Sequence, residues 1–82
     1  MAKRVIKKTR LKAANKLQNE LPNWIWVRTA DGNYSGTFEG VRKNLHDPYI
    51  QLFTNRLIRV YLFNISEIKT ANETIQVVAY FG

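Results

Sequence analysis

The stretch RVYLFNISEI, residues 59–68, constrains the fold more than any other in this chain. Strand-like alternation runs through Val60 and Leu62, breaks at Phe63-Asn64, and resumes at Ile65. A break that short does not carry the turn chemistry of an ordinary hairpin. The second strand must therefore swing round a corner, and such a corner belongs to a small, strongly bent sheet.

The rest of the chain agrees with that reading. NWIWVRTA, residues 23–30, alternates with period two and sets Ile25, Val27 and Thr29 on one face and Trp24, Trp26 and Arg28 on the other. ADGN follows, with Asp31-Gly32 expected to supply the positive φ angles of a tight hairpin. In the next strand, YSGTFEGV, Gly36 and Gly40 permit sharp bending. RKNLHDP, residues 42–48, reads as a loop, YIQLF as a third strand, TN as a turn, RLIRVYLF as a fourth strand and ISEIKT as a fifth. NETIQVVAYFG, within the tail 71–82, adds a sixth strand or an edge-covering segment. Ahead of the strands, TRLKAANKLQNEL spaces Leu11, Ala14, Leu17 or Gln18, and Leu21 as a helix over residues 9–21, with Thr9 as N-cap and Pro22 as stop. The expected fold class is mainly β: a five-stranded, bent, antiparallel SH3-like barrel over residues 23–70, with an N-terminal helix and a possible extra C-terminal strand.

At 82 residues the chain is one domain, small enough that burial between subunits would help it. It has no cysteine, which removes disulfides, thiolate catalysis and cysteine-based zinc sites, and no cofactor is implied. The longest apolar run, VVAYF, is far too short to span a membrane, and no apolar stretch follows the basic MAKRVIKK to make a signal peptide. A cytoplasmic protein is expected.

The net charge of +7 is entirely N-terminal. Residues 1–19 carry Lys3, Arg4, Lys7, Lys8, Arg10, Lys12 and Lys16 with no acid, whereas six basic and six acidic residues balance over 20–82. Residues 1–8 show no periodicity and read as a mobile basic arm. A positive arm on a neutral body fits a polyanion, because neutralised phosphates release condensed counterions. The plainer reading is a solvated tail.

Two segments are similar to the motifs of the Sm-like family and its Hfq branch. WVRTADGNYSGTFEG resembles the first motif: a hydrophobic strand, a DG turn, a glycine, an alternating strand and a second glycine. VYLFNISEI resembles the second, with Tyr61 on a tyrosine position, Asn64-Ile65-Ser66 on an alanine-isoleucine-serine and Ile68 on an apolar closer; LFTN, residues 52–55, resembles the intervening turn. The resemblance spans about residues 9–69. Departures accompany it. Arg42 stands where the family has an aspartate, the following loop is longer, Asp31-Gly32 lies one residue closer to Gly36, and Leu62 and Phe63 replace the lysine-histidine pair of the uridine pocket. The family implies a ring of about five to seven subunits in which the fourth strand of one pairs with the fifth of the next. It also implies single-stranded RNA as partner and a role as RNA chaperone or scaffold.

The candidate RNA-binding residues are Lys3, Arg4, Lys7 and Lys8 in the arm, Arg42, Lys43 and His46 in the loop, and Tyr49, Tyr61, Phe63 and Asn64 in the pocket-forming segments. Tyr49 matches the position that stacks a base, or else lids the barrel. Phe63 reads first as a buried corner plug and second as a stacking ring, and Asn64 either reads a base edge or satisfies the turn. Trp24 and Trp26 are read as packing beneath the helix or at a subunit boundary. His46, the only histidine, is accompanied by no serine or cysteine nucleophile, and the six carboxylates are scattered without metal-ligand spacing, so no enzyme is expected. Two alternatives stand beside the RNA-binding ring: a monomeric barrel on ribosomal RNA or DNA, and a protein-interaction ring that has lost RNA binding.

Overall fold

The computed structural model describes residues 2–7, 17–45 and 47–78. The fold is mainly β. Its strands are β1 (Ala2–Lys7), β2 (Trp24–Thr29), β3 (Gly32–Asn44), β4 (Asp47–Phe53), β5 (Leu57–Tyr61), β6 (Ile65–Lys69) and β7 (Glu73–Val78). They form one sheet in the order β1-β7-β6-β2-β3-β4-β5. Every neighbouring pair is antiparallel except β1 with β7, which is parallel. The sheet does not close, and its two edges are β1 and β5.

Alternation decides which face is core. Ile25 and Val27, Ile50 and Leu52, Val60, Ile65 and Ile68, and Ile75 and Val77 all bury on one side, joined by Leu17 and Leu62. Each such side chain removed from water contributes about 1.5–3 kcal/mol. The opposite face keeps Trp24, Trp26, Arg28, Phe53, Leu57 and Arg59 exposed. The face assignment made for NWIWVRTA is the one observed.

The corner at Phe63-Asn64 is a 3-10 turn, Leu62–Asn64, whose flanking residues Tyr61 and Ile65 are both extended. Leu62 is buried within it, so one side chain pins the corner to the core. The two strands it joins are far apart in the sheet: β5 lies at an edge and β6 between β7 and β2.

β3 bends at a register shift between Phe38 and Gly40, and Gly40 takes φ +122°. Gly36 serves a different purpose, because a Cβ there would overlap the Phe53 carbonyl oxygen. Two backbones can approach this closely only where a side chain is missing.

Two turns share one device. The Thr29 hydroxyl accepts from the Asp31 and Gly32 amides, both at 3.1 Å, and donates to the Gly32 carbonyl at 2.8 Å. The Thr70 hydroxyl accepts from the Asn72 and Glu73 amides and donates to the Glu73 carbonyl. The sequences are TADG and TANE, and both threonines are buried polar residues whose capacity these turns satisfy. Asp31 does not take the positive φ expected of it; Ala30-Asp31 form the turn, and the threonine hydroxyl organises it.

Two expectations differ from the structure, and a third agrees over the part described. The segment 42–48 is a hairpin rather than a loop: β3 continues to Asn44 and β4 starts at Asp47, because Arg42, Lys43 and Asn44 pair with Tyr49, Pro48 and Asp47. Residues 2–7 are strand β1 rather than an arm without structure, since β7 offers an edge whose backbone groups need partners. Of the expected helix over 9–21, residues 17–20 are helical, with the Leu21 amide donating to the Leu17 carbonyl at 3.0 Å; residues 9–16 lie outside the described residues. Among the described residues no helix is long and apolar enough to cross a membrane.

Candidate nucleic-acid interface

The predicted pocket residues meet on the outer face at the β5 edge. The pairing of β4 with β5 puts Tyr49 opposite Tyr61, and the 3-10 turn brings Phe63 to the far side of Tyr61. The rings form a row, with centroids 5.2 Å apart for Tyr49 and Tyr61 and 5.4 Å apart for Tyr61 and Phe63. Such spacings lie in the range of favourable aromatic pairs. Asn44 donates to the Tyr61 hydroxyl at 3.1 Å, which fixes that ring from the β3–β4 hairpin.

The rings of the row take different parts. Tyr49 is only 7% exposed, and its ring is approached by both Tyr61 and the Arg59 guanidinium, whose carbon is 5.1 Å from the ring centroid. It supports the row and leaves no open ring face for a base. Phe63 is 57% exposed, so it is not a buried plug. The reason is the corner itself: successive residues of a 3-10 turn point to different sides, and Leu62 takes the inward position.

Asn64 holds the turn together. Its Nδ2 donates to the Asp31 carboxylate at 2.9 Å and its carbonyl accepts from the Ala30 amide at 3.3 Å. The amide's donor is thus engaged within the fold. A groove of about 550 Å³ runs beside the row, walled by Asp31, Tyr34, Arg59, Tyr61, Phe63 and Asn64.

The basic residues are spread more widely. Arg42 lies beside Tyr49 in register, with its side chain folded back so that Nη1 donates to the Val41 carbonyl at 3.2 Å. Lys43 is exposed but stands opposite Pro48, one residue out of phase with the aromatic row. Lys3, Arg4 and Lys7 occupy β1 at register positions opposite Thr74, Ile75 and Val78, at the other end of the sheet from β5. Lys8 and His46 lie outside the described residues.

Arg59 was missed in the sequence, where it counted only as one charge among six. Its signal was the alternation LIRVY, which places Arg59 and Tyr61 on one face of β5. Of the two positions expected for Trp24 and Trp26, the one beneath the helix is not found with the described helical residues. The two tryptophans are 49% and 45% exposed, whereas the described helical residues pack on the opposite, inner face through Leu17.

Compared with known protein families, characterised proteins and solved structures, the chain matches none.

Proposed function

We propose that this protein binds single-stranded RNA without catalysing a reaction, as a divergent Sm-like module. The observation that carries the reading is the row Tyr49–Tyr61–Phe63, buried at one end, braced by Arg59 and exposed at Phe63. Unpaired bases stack on such rings and phosphates settle on nearby guanidinium groups. A duplex keeps its bases stacked on one another and has no use for the row.

Support for the SH3-like, Sm-like part of the proposal is the strand order β6-β2-β3-β4-β5, the bend in β3 and the 3-10 corner between β5 and β6. The proposal extends to a homo-oligomeric ring acting as RNA chaperone or scaffold. In this chain β7 covers the outer edge of β6, so the edges left for joining subunits are β5 and β1. Pairing them head to tail would satisfy both edges and close a ring.

Fluorescence anisotropy with one labelled RNA, presented single-stranded and as a duplex, tests the binding. Single strands bind preferentially, and Phe63→Ala weakens that binding by about 1–3 kcal/mol. Equal affinity for both forms, unchanged by Phe63→Ala, would instead favour a basic barrel that docks on helical RNA or DNA.

A further inference from the structure

We infer that the outer face of β2 and β6 is a second contact surface for single-stranded RNA, in which Trp24 and Trp26 stack bases and a line of lysines leads the backbone toward β1. The inference rests on the RNA-binding reading above but uses different residues. Trp24 and Trp26 face each other edge to face, with ring centroids 6.5 Å apart and planes at 72°. Two half-exposed indoles on a solvated sheet face are unusual without a partner, and large exposed aromatic surface marks an interaction site.

Register says what kind of partner. Trp26 pairs with Lys69, Lys69 with Thr74, and Thr74 with Lys3. On its other side Trp26 pairs with Ser35. One transverse row therefore runs Lys3, Thr74, Lys69, Trp26, Ser35 across five strands. Strands are about 4.8 Å apart, so Lys3 and Lys69 hold register positions about 10 Å from each other. The adjacent row holds Arg28 opposite Glu67, and the two lysines exceed that single local acid. A groove of about 530 Å³ lies along these rows, walled by Trp26, Arg28, Ser35, Glu67 and Lys69. Aromatic rings beside spaced cations fit an unpaired polyanion better than an apolar protein surface.

This placement gives the basic N-terminus a role. As strand β1 it sets Lys3 in line with Lys69 and Trp26, which a mobile arm would not do.

Trp24 and Trp26 are the chain's only tryptophans, so tryptophan emission, excited to the red of tyrosine absorption, reports on this face. The full chain is titrated with a single-stranded RNA of about 12 nucleotides, following tryptophan emission and, separately, the anisotropy of labelled RNA. Expected are quenching that saturates with the anisotropy, about tenfold weaker binding in Trp26→Ala, and quenching that persists in Phe63→Ala. RNA binding with no change in emission and none in Trp26→Ala would overturn this inference while leaving the proposed function intact. No RNA binding by anisotropy would overturn both. An emission change that follows protein concentration and ignores RNA would assign the face to contacts between copies of the chain, which also overturns it. If Trp26→Ala fails to fold, the wild-type quenching still decides.

Discussion

Asn64 donates from Nδ2 to the Asp31 carboxylate at 2.9 Å, a bond that spans 33 residues of sequence. It ties the corner between β5 and β6 to the turn between β2 and β3. The Asn64 carbonyl adds a second link to the same turn through the Ala30 amide. Asn64→Ala removes the side-chain bond and keeps the backbone one. A loss of about 1 kcal/mol is expected, seen as a melting temperature lower by about 4–8 °C. An unchanged melting temperature would show that the bond to Asp31 contributes nothing.

The two threonine-anchored turns predict a larger effect. Thr70→Val keeps the shape of the side chain but leaves the Asn72 and Glu73 amides without their acceptor. The expected cost is about 1–3 kcal/mol in a denaturant titration, and Thr29→Val behaves alike. Thr54→Val provides the comparison: its hydroxyl contacts are exposed, at 3.2 and 3.4 Å, and the change should cost less than about 0.5 kcal/mol.

Gly36→Ala tests the close approach of β3 to the end of β4. The added methyl meets the Phe53 carbonyl oxygen and sits 3.3 Å from the Thr54 Cα, both backbone atoms that no rotamer change can move. Destabilisation of about 1–3 kcal/mol is expected by thermal or chemical unfolding. A neutral result would mean that the two backbones separate without cost.

Leu45 predicts the opposite sign. It holds φ 56° and is 81% exposed, so it combines a left-handed conformation with an apolar side chain in water. Leu45→Gly relieves the steric cost of that conformation, about 1–2 kcal/mol, against which the unfolded chain gains freedom. A net gain of roughly 0.5–1 kcal/mol should appear as a higher denaturant midpoint at unchanged slope. Stability lost on this substitution would indicate that the Leu45 side chain has a packing partner.

The salt dependence of RNA binding separates charge from structure in β1. Deleting residues 1–8 would strip β7 of its partner as well as removing four cations, so the two effects would be mixed. Neutralising Lys3 and Lys7 to Gln keeps the strand. If both contact phosphates, the slope of log affinity against log salt falls in magnitude by about 1.4. An unchanged slope would remove β1 from the RNA interface.

By itself the sequence determined that short strands follow one another from Trp24 onward, the face that NWIWVRTA buries and the corner at Phe63-Asn64, but not that 42–48 pairs as a hairpin. Period-two alternation and a break too short for a hairpin are local signals, written in the chain where they act. It also marked Tyr49, Tyr61 and Phe63, which do come together. What it did not determine was which ring is covered. That depends on Arg59 lying over Tyr49 and on Leu62 taking the inward place in the turn, both products of register and packing. Nor did it give β1 a structure, because AKRVIK becomes a strand only where the edge of β7 is present to pair with it. The open sheet has the same origin: covering β6 with β7 and β1 is decided by pairing between segments some 70 residues apart in the chain, such as Ala2 with Glu73. Local periodicity fixes what a segment can be, and the available partner edge fixes where it goes.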